Sequence, residues 1–270
     1  MATGRAAKRA RKKGRRNEQR EAARATWMRY RRRRRILWLS LVSAVLIGGG
    51  IALVLTVFPK PSSKKPIASP QAPGVVAPKL TPVACGAKMP AAAGTRKDAY
   101  GAPGDMHLDS KKHYTVQMKT SCGEIDIALD VVHSPKTSNS FAFLVAQKFY
   151  DGLVFHRISP NFVIQGGDPK GNGQGGPGYQ VVEAPPSTFK YKKGTVAMAK
   201  GGADPPGASG SQFFVVSTDH GESVLTPDYA VLGTVTKGMD VVGKITGLAT
   251  GDMTPPKAYA YIETATLVVT

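Results

Sequence analysis

Large apolar residues fall into three regimes along this chain. From 36 to 58 the sequence reads ILWLSLVSAVLIGGGIALVLTVF, a run without a charged residue. As a helix rising about 1.5 Å per residue, such a run crosses the roughly 30 Å hydrocarbon core of a bilayer. Pro59 and Lys60 end it. From 59 to 106 large apolar residues are sparse, and prolines stand at 59, 61, 66, 70, 73, 78, 82, 90 and 103. That pattern predicts a semi-extended stalk with polyproline character. From 107 to 270 apolar residues return in short runs between Gly and Pro, which predicts a folded domain.

Within that last region Tyr114, Val116 and Met118 alternate with polar residues, as do Ile125, Ile127 and Leu129. Both stretches read as half-buried strands. A helix follows, with Ser134 as N-cap, Pro135 at the first helical position, and Phe141, Leu144 and Val145 at helical spacing. Short runs at 153–158, 162–165, 195–199, 212–217 and 230–235 read as strands, 238–246 as a second short helix, and 258–269 as a closing strand. Many short strands with few helices predict a mainly β, antiparallel barrel or sandwich. The 30 glycines and 20 prolines agree, since they favour turns over a helical bundle.

The formal charge is +19, from 37 Lys+Arg against 18 Asp+Glu, and its naive reading is a nucleic-acid binder. Its distribution argues otherwise. Residues 1–35 carry 16 basic residues and only Glu18 and Glu21, and they end in five consecutive arginines at 31–35. Residues 59–106 carry a net +5, and 107–270 balance 14 basic with 14 acidic residues. The folded part is neutral, so a nucleic-acid-binding domain is disfavoured. Positive flanks stay cytoplasmic, which predicts residues 1–35 inside, 36–58 as an uncleaved single-pass anchor, and the rest outside the cell membrane. A cleavable signal peptide has a shorter apolar region and a small-x-small site, and Thr56-Val57-Phe58-Pro59 is not one. The basic arm then serves topology and contact with anionic lipid.

Two cysteines exclude a disulfide-stapled mini-fold and a four-cysteine zinc ribbon. Cys85 and Cys122 both fall on the outer side, where an oxidising exterior permits a bridge between stalk and domain; two free thiols are the alternative. The five histidines show no metal-ligand spacing, so no metal site is predicted. Residues 171–176 (GNGQGG) match G-x-G-x-x-G, but Pro177 and Gly178 follow where a dinucleotide site needs a helix, so they read as a flexible surface loop. Residues 207–211 (GASGS) lack the last glycine of a nucleophile elbow.

Two stretches carry a resemblance. One is FHRISPNFVIQGGD at 155–168; the other is GTVAMA at 194–199 followed by GSQFFV at 210–215. Together with the Asn139-Ser140-Phe141 helix and Leu232-Gly233-Thr234-Val235, they resemble the cyclophilins, the peptidyl-prolyl cis/trans isomerases, over about 113–270. With the arm, span and stalk, the chain looks like the membrane-anchored bacterial members. The resemblance implies an eight-stranded closed antiparallel barrel with two capping helices, here preceded by one transmembrane helix, and no cofactor. It implies isomerisation of X–Pro bonds in exported or cell-surface polypeptides, with a peptide-binding chaperone module of little turnover as the alternative.

By family position, Arg157 is the catalytic arginine, Gln165 helps hold it and bonds the substrate backbone, and Phe162 lines the proline slot with Val163, Phe214 and Leu225. Ala199, Lys200 and Gly201 flank the peptide before the proline, with Gln212 and Tyr229 nearby. Val163 stands where many members have Met, Lys200 where Asn is common, Tyr229 where many have His, and Val224 where they have Trp. The last departure implies weak cyclosporin binding.

Overall fold

The computed structural model describes residues 74–270 apart from His220, Glu222, Ser223 and Met253. The basic arm, the apolar run at 36–58 and stalk residues 59–73 lie outside the described residues. Among the described residues no helix is long and apolar enough to cross a membrane.

A short strand β1 (Val75–Val76) pairs antiparallel with β2 (Arg96–Lys97). Then come β3 (Tyr114–Thr120), β4 (Gly123–Leu129), helix α1 (Pro135–Ala146), β5 (Arg157–Ser159) and β6 (Val163–Gly166). The chain continues with β7 (Val181–Val182), β8 (Thr195–Met198), β9 (Ala208–Ser209), β10 (Phe213–Val216), β11 (Val231–Lys237), helix α2 (Met239–Thr246) and β12 (Ile262–Val269). Eight strands form one antiparallel sheet in the order β12-β3-β4-β11-β8-β10-β6-β5, while β7 and β9 make a separate ribbon.

The alternation that marks β3 and β4 puts Tyr114, Val116, Met118, Ile125, Ile127 and Leu129 on the buried face. Phe141 of α1 lies inside the curl, stacked on Tyr150 at 4.6 Å between ring centroids and edge-on to Phe213 at 5.6 Å. Burying one such ring is worth about 1.5–3 kcal/mol.

The structure corrects the closed barrel. The sheet curls, but its edges β5 and β12 share no ladder. Residues 153–158 do not run as one strand; the ladder begins only at Arg157, and β5 holds Arg157–Ser159 alone. The seam is crossed instead by the bridge Val154↔Tyr261 and by backbone bonds from Gly152 N to Ile262 O (2.7 Å) and Phe155 N to Ala260 O (2.9 Å). The cap of α1 also differs from expectation. The Ser134 side chain makes no cap bond. The first-turn amides of Lys136 and Thr137 donate instead to the Glu183 carboxylate, at 3.2 and 2.8 Å. An acid there satisfies orphan N–H groups and faces the positive end of the helix dipole.

Residues 74–106 are not a free spacer, and packing begins well before 107. Ala77 and Ala84 join the main core, and Ala93 packs with Val154 and Tyr261. Backbone bonds run both ways at Tyr259, from its N to Pro82 O (2.9 Å) and to its O from Ala84 N (3.0 Å). Cys85 and Cys122 are joined by a disulfide with Cα atoms 5.2 Å apart. Lys97 is buried and donates to the Lys148 and Asp151 carbonyls; desolvation lowers its pKa, opposed by the Asp151 charge. The segment is a strap laid over the sheet.

Candidate functional site

Arg157 and Gln165 face each other across the β5–β6 ladder, and that register begins a chain of hydrogen bonds. Arg157 Nη1 donates to Gln165 Oε1 (3.3 Å), and Gln165 Nε2 donates to Gln212 Oε1 (3.0 Å). Gln212 Nε2 in turn donates to the carbonyls of Gly173 (3.1 Å) and Gly175 (2.8 Å). Each amide has one orientation that serves every bond, so the network fixes both glutamines. On its other side Arg157 Nη2 donates to Asp252 Oδ1 at 2.8 Å.

This network lies along a groove of about 830 Å³. One wall is apolar: Phe162, Val163, Ala199, Phe214, Leu225 and Tyr229 belong to a single cluster beside the main core. Val163 and Phe214 are almost fully buried, while Phe162, Leu225 and Tyr229 are half-buried and offer ring and methyl surface to the groove. The Tyr229 ring stands edge-on to Phe214 at 5.3 Å. Tyr229 is held from behind by Tyr191, whose hydroxyl donates to the Tyr229 carbonyl (2.6 Å) and accepts from its amide (3.0 Å). Burial pushes the Tyr191 hydroxyl up to about 12, so it remains a neutral donor.

A second groove of about 710 Å³ adjoins the first and shares Gln165, Ala199 and Lys200 with it. Gly201 and Gln212 line this second groove, as do Val75 and Ala99 of the strap. Lys200 sits at the junction, its Nζ donating to Asp204 O (3.1 Å) and lying 5.9 Å from the centre of the Tyr229 ring. The structure therefore gathers Arg157, Phe162, Val163, Gln165, Ala199, Lys200, Phe214, Leu225 and Tyr229 in one groove, and sets Gly201 and Gln212 next door. Val224 stands exposed at the rim.

Sequence reasoning missed several parts. Residues 171–176 are not a loose surface loop. The buried Asp168 carboxylate accepts from the amides of Lys170 (2.7 Å), Asn172 (2.9 Å) and Gly173, and the loop lines both grooves. Its glycines have steric work: a Cβ on Gly175 would collide with Asp168 Oδ1. The D-x-x-G-x-G-x-G-G run at 168–176 was the available signal. Asp252, Thr254, Pro255 and Tyr259 belong to the loop before β12 and carried no motif. His156 lines the groove with both ring nitrogens buried and no hydrogen-bond partner among the described residues. Desolvation lowers its pKa; the Asp168 charge pulls up and the Arg157 charge pulls down further. Among the described residues no cluster of His, Cys, Asp and Glu could hold a metal ion. The arrangement can bind an apolar ring against Phe162, Phe214 and Leu225 while a fixed cation donates hydrogen bonds beside it.

Known proteins give this geometry a context. A family model described as cyclophilin type peptidyl-prolyl cis-trans isomerase/CLD matches residues 115–267. The chain is similar to a probable peptidyl-prolyl cis-trans isomerase B of Mycobacterium leprae, 38% identical over 172 residues, which covers 57% of this chain and 56% of the relative. It thus spans little more than half the length of that relative. It is 37% identical over 155 residues to the peptidyl-prolyl cis-trans isomerase B of Streptomyces anulatus, covering 51% of this chain and 86% of the other. A crystal structure of a Cryptosporidium parvum cyclophilin type peptidyl-prolyl cis-trans isomerase superposes with a TM-score of 0.53 at 28% identity, over 58% of this chain and 98% of that one. The same protein in the presence of the dipeptide Ala-Pro gives a TM-score of 0.52 at 27% identity, over 57% of this chain and 98% of that one.

Proposed function

The chain belongs to the cyclophilin-type peptidyl-prolyl cis/trans isomerase family, and on that premise we propose that its groove rotates X–Pro bonds with Arg157 as the catalytic donor. The observation that carries this reading is the guanidinium held by Gln165 and Asp252 at the edge of an apolar slot. The barrier to rotation is about 18–20 kcal/mol, because amide resonance must be broken. No nucleophile is needed; the twisted amide has only to bind better than the planar one. As the bond twists, the prolyl nitrogen becomes pyramidal and gains a lone pair. A guanidinium N–H aimed at that lone pair bonds to it in the transition state and not in the planar ground state. Phe162, Val163, Phe214 and Leu225 grip the ring, so the chain before the proline is the part that turns. Gln165 and Ala199 supply backbone-level contacts on that side, with Lys200, Gly201, Gln212 and Tyr229 extending the surface along the neighbouring groove.

The place of action is part of the proposal. The apolar run at 36–58, flanked by the basic arm, supports a single-pass anchor in the cell membrane with the arm on the cytoplasmic side and in contact with anionic lipid. The Cys85–Cys122 bridge supports an oxidising exterior for the isomerase domain. The clients are then proline-containing segments of exported or cell-surface proteins, such as an Ala-Pro-type bond.

Jump kinetics on an X–Pro peptide test the reading in the full-length chain. Wild type accelerates relaxation, and Arg157→Ala loses about 10²–10³-fold of that acceleration, the cost of removing one transition-state donor. The rival, a peptide-binding chaperone, predicts suppression of aggregation that survives Arg157→Ala and no acceleration in wild type.

A further inference from the structure

We propose that Asp252 is a positioning residue that fixes the plane of the Arg157 guanidinium; this role rests on the isomerase reading of the groove. Arg157 Nη2 to Asp252 Oδ1 is 2.8 Å, whereas Arg157 Nη1 to Gln165 Oε1 is 3.3 Å. Both bonds have an ionised donor, but the carboxylate bond is the shorter and it alone joins opposite charges. Arg157 Nε is buried without a hydrogen-bond partner among the described residues, so the two Nη bonds set the orientation. A planar fork held at one nitrogen pivots about that contact; held at both, it cannot. Catalysis by differential binding needs the fixed fork, because the lone pair on the prolyl nitrogen appears in one direction only.

The two anchors come from different parts of the fold. Gln165 sits opposite Arg157 in the sheet, and Asp252 reaches over from the loop between α2 and β12. That loop is braced. Lys257 N donates to Leu248 O (2.9 Å) at its base. Thr250 Oγ1 donates to Pro255 O (2.7 Å) and lies 2.7 Å from Thr254 Oγ1, which donates to Gly251 O (3.1 Å). Thr254 and Pro255 themselves line the groove, so the same loop supplies a wall and the acid that orients the cation. The Asp252 side chain is 54% exposed against 24% for Arg157, so added salt screens the pair from the solvent side.

The test compares full-length wild type with Asp252→Ala, Asp252→Asn and Asp252→Glu on an X–Pro peptide at low and high salt. Asp252→Ala lowers kcat by about 2- to 5-fold, the range of an exposed charge pair, and leaves KM nearly unchanged. Asp252→Asn keeps the acceptor and the loop shape and falls between; Asp252→Glu recovers part of kcat. High salt narrows the gap between wild type and Asp252→Ala. Nitrogen NMR of the Arg157 guanidinium shows slow rotation about the Nε–Cζ bond in wild type and faster rotation in Asp252→Ala. An Asp252→Ala chain with wild-type or higher kcat, or with a change in KM alone, overturns the role. A wild-type chain without isomerase activity overturns the isomerase reading and this role with it; an active wild type with an unaffected Asp252→Ala overturns this role alone.

Discussion

Removing the Cys85–Cys122 bridge tests how the strap is held. The two cysteines are 37 residues apart in sequence. Closing a loop of that length takes about 13 cal/mol/K from the unfolded chain, or roughly 4 kcal/mol at 25 °C in the chain-entropy treatment. The folded side should change little. Ala77 and Ala84 stay packed, and the bonds at Tyr259 and Lys97 do not depend on sulfur. The double variant Cys85→Ala, Cys122→Ala therefore loses about 2–4 kcal/mol, within the range seen for native bridges. For a domain of this size that is a fall of about 5–15 °C in Tm. Thermal and urea unfolding, followed by circular dichroism with and without reductant, reads it. Reductant lowers the wild-type midpoint to that of the variant and leaves the variant unmoved. The strap also touches the groove loop: a Cβ on Gly171 would meet Pro78 Cγ at 3.0 Å, and Tyr100 N donates to Pro177 O at 2.7 Å. Peptide KM should rise more than kcat falls in the variant. An unchanged midpoint, or a variant still sensitive to reductant, refutes the reasoning.

Asp168→Ala leaves the amides of Lys170, Asn172 and Gly173 without their shared acceptor, at about 1–3 kcal/mol for a buried unmet group. Urea midpoints should fall accordingly and peptide KM should rise, because both groove walls lean on that loop; wild-type values on both counts contradict the assignment. His156 gives a pH signature. Desolvation, more than the opposing Asp168 charge, holds its pKa below the ordinary value of about 6.5, with Arg157 lowering it further. Between 6.5 and the lower folded value the unfolded chain binds more protons, so stability falls as pH drops through that window and is unaffected above it. His156→Gln removes this share of the slope, and a stability difference between the two proteins that is constant from pH 7.5 to 5 speaks against it.

The sheet was legible where burial alternates residue by residue. Tyr114 to Leu129 announces β3 and β4 because every second side chain faces the core. The Arg157–Gln165 pair was legible only through the motif, since nothing in periodicity says that positions eight apart face each other across a tight turn. The Glu183 cap was hidden because its partners lie 46 and 47 residues away, and local signals favoured Ser134. The strap was hidden for a different reason. Alanines and prolines carry little hydrophobic signal, yet Ala77, Ala84 and Ala93 are buried, and backbone bonds do much of the holding. The Asp168 loop read as flexible because its order comes from a carboxylate outside the glycine run. Asp252 had no local pattern; only the fold brings it to Arg157.

The central claim is that a fixed Arg157 guanidinium speeds rotation about X–Pro bonds. Exchange NMR at equilibrium tests it most directly, on an Ala-Pro peptide with catalytic amounts of the full-length chain. The account predicts that cis and trans resonances exchange faster in both directions with wild type, and that Arg157→Lys, which keeps the charge but not the planar fork, loses most of the effect. Exchange that stays at the uncatalysed rate with wild type, or that Arg157→Lys and Arg157→Ala accelerate as well as wild type does, contradicts it.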